Sequence, residues 1–89
     1  MLQQTTTIVN KLGLHARAAA KFVTQASLFE SEIFVKRKGQ NVNGKSIMGV
    51  MMLAAAKGSD IELIIDGADE SQAMQSLLEL IENKFGESE

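Results

Sequence analysis

Apolar residues fall at two different spacings along the chain, and the alternation between them marks out the elements. From Ala16 to about Ser27 an alanine-rich stretch of high helix propensity sets Ala19, Val23 and Ala26 at core spacing, which predicts a helix. A second helix is predicted near the end, where Met74, Leu77, Leu78, Ile81 and Phe85 repeat at i, i+3, i+4, i+7 and i+11. Asp69 and Gln72 form a capping-box pattern before it, and Lys84 and Gly86 close it. Shorter β-rich segments lie between. Thr5 to Val9 reads as a strand ending at Asn10 and a loop through Gly13. Ile33-Phe34-Val35 with Lys36, a turn at Gly39, and a return over Gln40 to Val42 predict a hairpin. Ile61 to Ile65 is a further strand. Ser46 is placed to cap a helix from Ile47 to about Ala55, with Gly58 as its stop. The order β-α-β-β-α-β-α predicts an α+β fold: a largely antiparallel sheet with its helices packed on one face.

The helix after Ser46 carries more apolar residues than one buried stripe needs. Val50, Leu53 and Ala54 share a face suited to the core, while Ile47, Met48 and Met51 lie on another. That second face is either more core or a docking patch. Unbranched, polarizable Met side chains suit a surface that must receive several partners in turn, which favours docking. Ala20, on the preceding helix, is grouped with Ile47, Met48 and Met51 as a candidate docking residue.

Composition narrows the classes. Eighty-nine residues make one domain, 1–89, with a single modest core. There is no cysteine and only one histidine, so neither a disulfide nor a thiolate or zinc site is expected, and no cofactor is called for. The polar start, Met1 to Thr7, lacks a signal-peptide pattern and no apolar run reaches membrane-spanning length, so a cytoplasmic protein is expected. A net charge of −2, with four Phe and no Tyr or Trp, argues against a nucleic-acid surface. Lys36-Arg37-Lys38 is accordingly a solvated turn.

The chemistry concentrates in Gly13-Leu14-His15-Ala16-Arg17-Ala18. His15, the only histidine, stands at the start of the alanine-rich helix, with Arg17 two residues on. First-turn amides direct N–H groups and partial positive charge at an anion held there, and Arg17 adds a forked, permanently charged clamp. The bland alternative is a solvated loop histidine, since an imidazolium would meet an unfavourable dipole. That dipole equally favours the unprotonated ring, which is the nucleophile. His15 is therefore idle or a phosphoryl acceptor, with the Ala16 and Ala18 amides and Arg17 to hold the phosphate.

Gly39-Gln40-Asn41-Val42-Asn43-Gly44-Lys45-Ser46 matches the phosphate-cradling P-loop pattern, and Ile61 to Ile65 ends in an acid, Asp66. A nucleotide enzyme of that kind needs a parallel sheet covered on both faces, whereas this chain offers four short strands with Glu62 inside one. The glycines have simpler duties, Gly39 in a hairpin and Gly44 before a cap. A small regulatory ligand-binding module would explain the element order but not the pairing of His15 with Arg17.

Two motifs in register, Gly-Leu-His15-Ala-Arg17 and Asn43-Gly44-Lys45-Ser46-Ile47-Met48-Gly49, carry a resemblance along nearly the whole chain. The sequence resembles the histidine-containing phosphocarrier (HPr) family of the bacterial phosphoenolpyruvate-dependent phosphotransferase system. The resemblance implies an open-faced sandwich of four antiparallel strands under three helices. It implies a monomeric carrier without turnover of its own, which takes phosphate on Nδ1 of His15 from phosphorylated enzyme I and passes it to an enzyme IIA-type protein. Ser46 matches the family's regulatory site, which implies a serine kinase and phosphorylase as further partners. Many members carry proline after the active-site arginine; here Ala18 stands there, and the run Ala18-Ala19-Ala20 is similar to the nitrogen-related branch and to carriers of some bacteria with reduced sugar transport. Alanine keeps the first turn helical and leaves one more N–H near the phosphate.

Overall fold

In the computed structural model, which describes residues 1–89, the elements follow the predicted order. They are β1 (Leu2–Thr7), α1 (Ala16–Ala26), β2 (Glu32–Arg37), β3 (Gln40–Asn43), α2 (Ile47–Met52), β4 (Asp60–Asp66) and α3 (Glu70–Glu82), followed by a 3-10 turn at Lys84–Gly86. The strands form one antiparallel sheet in the order β1-β4-β2-β3. Alternation along β2 and β4 buries Ile33, Val35, Ile61, Leu63 and Ile65 on one face. Their neighbours Phe34 and Ile64 pair across the strands on the other face and are only half-buried. Against the buried face α3 packs on β1 and β4, α2 packs on β3, and α1 bridges α2 and α3. Phe22, Val50, Leu53, Leu77, Ile81 and Phe85 close the core over the sheet. The expected open-faced sandwich is thus the observed fold. No helix is long and apolar enough to cross a membrane.

Five local expectations need correction. Lys36 and Arg37 are not in a solvated turn but end β2, where half-buried Arg37 donates to the Leu53 carbonyl at 3.1 Å; only Lys38 of that basic run lies in the turn. β1 spans Leu2–Thr7, not Thr5 to Val9, because the extent of an edge strand is set by its partner. β4 begins at Asp60, opposite Thr7; Ile8 still exchanges hydrogen bonds with Ser59 (2.9 Å) and Gly58 (2.8 Å), but these lie in the turn that precedes β4, so the ladder does not continue to Val9. Leu2, Gln3 and Gln4 do belong to it, against Ile65, Ile64 and Leu63.

α2 ends at Met52, not near Ala55. Ala54 takes a left-handed φ of 50° and is exposed, so it leaves the core face on which periodicity placed it, while Val50 and Leu53 stay buried.

Asp69 stands at the N-cap of α3 but caps nothing with its side chain. Its carboxylate accepts from the amides of Glu30 (2.9 Å) and Ser31 (3.0 Å) and from the Ser31 hydroxyl (2.5 Å). A long-range partner has outcompeted the local capping box, and Gln72 is exposed. Finally, α3 stops at Glu82, and Phe85 reaches the core through a left-handed turn.

The P-loop pattern falls on a hairpin. Gly39 turns it at φ 80°, Gln40–Asn43 is strand β3, and a Cβ on Gly44 would lie 2.6 Å from Cγ2 of Ile33. No phosphate-cradling loop is formed.

Candidate functional site

The loop that delivers His15 is fixed from below. Gly13 adopts φ 67°, and a Cβ there would lie 2.4 Å from the Ala55 carbonyl oxygen, so only glycine fits. The Leu14 amide donates to the same carbonyl at 2.9 Å, and the Leu14 side chain is buried. Behind the loop, fully buried Asn10 donates from Nδ2 to the Gly13 carbonyl at 2.8 Å. His15 follows as the N-cap of α1, its backbone extended (φ −73°, ψ 178°) and its carbonyl accepting from Ala19 at 2.8 Å.

Both ring nitrogens of His15 have partners of opposite kinds. The Arg17 amide donates to Nδ1 across 3.3 Å, so the imidazole itself caps the helix in the manner of a Ser or Asn side chain. Nε2 lies 2.5 Å from Oε2 of Glu87. The other Glu87 oxygen, Oε1, accepts from Asn10 Nδ2 at 3.0 Å. These hydrogen bonds, from Asn10 first and then from His15, hold the Glu87 carboxyl below the usual range, so it is an anion at neutral pH. An ionised carboxylate only accepts and an amide N–H only donates. The neutral ring therefore carries its proton on Nε2 and its lone pair on Nδ1, facing the first turn of α1.

Around this ring lies an open cleft lined by Lys11, His15, Arg17, Lys21, Glu87 and Glu89. Arg17 is exposed and forms no ion pair within the chain. Lys21 donates to the Phe85 carbonyl at 2.7 Å. Neither the Ala16 nor the Ala18 amide has an acceptor in the chain. Ala16 is exposed and Ala18 fully buried, so the Ala18 amide is the less open of the two expected anion donors.

At the other motif, Ser46 caps α2 as expected, its hydroxyl accepting from the Gly49 amide at 3.1 Å. Ile47, Met48 and Met51 are exposed, Met48 by 71%. Met52 and Leu12 add exposed apolar surface that periodicity did not single out. Ala20, half-buried, lines a shallow depression with Arg17, Lys21 and Leu80, on the side of α1 that faces α3. Sequence reasoning missed Glu87 and Asn10. Asn10 read only as the end of a strand that in fact stops at Thr7, and Glu87 lies in a polar tail with nothing periodic to place it.

Fold and site define a small α/β sandwich built to present one histidine at a helix N-terminus. Comparison with known proteins supplies the class. The family model for the PTS HPr component phosphorylation site matches residues 2–83. The phosphocarrier protein HPr of Neisseria meningitidis serogroup A is 61% identical over 89 residues, with both chains covered in full. The HPr-C-His crystal structure from Thermoanaerobacter tengcongensis superposes with a TM-score of 0.96 at 48% identity, again covering all of both chains. A structure of an HPr dimer from the same bacterium matches with a TM-score of 0.79 at 49% identity, covering 98% of this chain and 100% of the other. The chain belongs to the HPr family of phosphocarrier proteins of the phosphotransferase system.

Proposed function

We propose that His15 is the residue on which this phosphocarrier holds its phosphoryl group, taken from phosphorylated enzyme I and passed to an enzyme IIA-type protein. The observation that carries the reading is the Nδ1 lone pair of His15, held at the N-terminus of α1 beside Arg17. In the first transfer that lone pair bonds to phosphorus while the donor's bond to phosphorus breaks and its electron pair leaves with the donor. The onward transfer runs the same step in reverse. Phosphoryl transfer asks for in-line positioning and neutralised oxygen charge more than covalent help, and the Ala16 amide and Arg17 supply both. An exposed site also avoids holding the phosphate so tightly that its release is slowed.

Ile47, Met48 and Met51 form the docking face for both partners, with Ala20, beside Arg17 on α1, as a further contact. Ser46 is a regulatory phosphorylation site served by a serine kinase and phosphorylase. The carrier works as a monomer in the cytoplasm, has no turnover of its own, and serves either sugar uptake or a nitrogen-related or regulatory branch. The T. tengcongensis dimer makes sedimentation at working concentration the check on the monomer.

Incubation with phosphoenolpyruvate and enzyme I, followed by intact mass, tests the relay. One phosphate should be gained by the parent and none by His15→Ala, and mild acid should remove it. A gain that survives acid, or that persists in His15→Ala, contradicts the assignment.

A further inference from the structure

The tail that follows α3 adopts an unfavourable backbone in order to reach His15. Lys84, Phe85 and Gly86 take φ of 59°, 56° and 79° in succession, a left-handed run disfavoured for any residue with a Cβ. Three contacts hold it there. Phe85 is fully buried, Lys21 donates to the Phe85 carbonyl at 2.7 Å, and the Lys11 amide donates to the Glu89 carbonyl at 2.5 Å. The turn reverses the chain and sets the Glu87 carboxylate between Asn10 and Nε2 of His15. Asn10 has only one useful orientation here, since both the Gly13 carbonyl and Glu87 are acceptors and both need its NH₂ group.

Resting on the phosphoryl-relay reading of His15, we propose that Glu87 is a positioning residue for the transfer. Its carboxylate holds Nε2–H, keeps the lone pair on Nδ1, and balances the positive charge that the ring acquires as Nδ1 bonds to phosphorus. The proton on Nε2 stays in place throughout. Attack spends the Nδ1 lone pair on the N–P bond and leaves the ring cationic, with Nε2–H still directed at Glu87. When the phosphoryl group moves on, the N–P electron pair returns to Nδ1 and the ring leaves as the same neutral tautomer. A nucleophilic ring oriented by a third group is the general logic of a catalytic triad, and Glu87 occupies the orienting place. It touches neither phosphorus nor the donor, and acts only through His15.

The experiment compares the parent, Glu87→Gln and Glu87→Ala by two readouts. Nitrogen-15 shifts of His15 in the free protein report its tautomer. Single-turnover transfer from preformed phosphorylated enzyme I reports the rate. The parent should show Nε2 protonated and Nδ1 bare. Glu87→Gln leaves one acceptor oxygen for which Asn10 Nδ2 and Nε2–H compete, so it should hold that tautomer less firmly and transfer more slowly than the parent. Glu87→Ala should admit the second tautomer and slow transfer by roughly tenfold, far less than the ~10⁴-fold loss when a triad is forced into the wrong tautomer. The half-saturating concentration of enzyme I should not move, since Glu87 acts on the ring and not on docking. Equal tautomers and equal rates in the parent and Glu87→Ala overturn the proposal, whatever Glu87→Gln does. A parent that takes no phosphate overturns the relay reading instead, and the tautomer comparison on the free protein still decides whether Glu87 sets the ring.

Discussion

The backbone amide of Arg17 points at Nδ1 of His15 across 3.3 Å, so the turn that carries the Arg17 guanidinium also orients the ring. The side chain of Arg17 is meanwhile exposed and unpaired, hence available to oxygens bound at Nδ1. Arg17→Ala should keep the amide and lose only the guanidinium. Stability should change by no more than about 0.5 kcal/mol, as for an exposed position. Transfer from phosphorylated enzyme I should slow by roughly 10²-fold or more, the scale of losing one preorganised donor. Unchanged single-turnover kinetics would remove Arg17 from the mechanism.

Met48 offers a direct test of the docking face. At 71% exposure it contributes little to the fold, so Met48→Asp should cost under about 1 kcal/mol of stability. Binding to enzyme I, followed by titration, should weaken, because a charge would enter the apolar centre of the contact. A parent-like affinity would move the docking face elsewhere.

Ser46 should act by charge and not by refolding. Its hydroxyl already caps α2 through the Gly49 amide, and a phosphate or aspartate at a helix N-terminus is favoured by the dipole. Ser46→Asp should therefore leave the thermal midpoint nearly unchanged. The added charge lies at the start of the helix that exposes Ile47, Met48 and Met51, where an apolar partner would have to desolvate it and an acidic one would be repelled. His15 phosphorylation by enzyme I should slow, most of all at low salt. Equal rates for Ser46→Asp and the parent across salt concentrations would reduce Ser46 to a cap.

Acid stability should report the contact between Ser31 and Asp69. The Asp69 carboxyl is held below the ordinary value of 3.8 by the Ser31 hydroxyl and by the Glu30 and Ser31 amides. Its folded-state value is depressed, so its contribution is fully present above 3.8 and is lost as pH falls through the folded value. Asp69→Asn should lower the denaturation midpoint at pH 7 and flatten its decline in acid. A variant as stable as the parent at pH 7 would show that the three hydrogen bonds contribute nothing net.

What the sequence made legible follows how local each determinant is. Element order, the cap at Ser46 and the core positions Val23, Val50 and Ile81 rest on spacing within a few turns, and periodicity reports them directly. The limits of β1 rest on where β4 begins, 53 residues away at the pair of Thr7 with Asp60. Asp69 deserts its local cap for Ser31, 38 residues back, and Ala54 leaves the helical pattern because α2 has already ended. At the candidate site, the placing of His15 and Arg17 at the start of α1 was legible because both belong to one local motif. Glu87 was not, since 72 residues separate it from His15 and only the left-handed turn at Lys84–Gly86 joins them.

The central claim is that Nδ1 of His15 carries the relay phosphate. Phosphorus–nitrogen correlation NMR on the nitrogen-15-labelled protein, phosphorylated by enzyme I and kept at alkaline pH, measures that bond directly. The account predicts coupling of one phosphorus to Nδ1 of His15 and none to Nε2. A phosphorus coupled to Nε2, or one with no nitrogen coupling and an oxygen ester at Ser46, would contradict it.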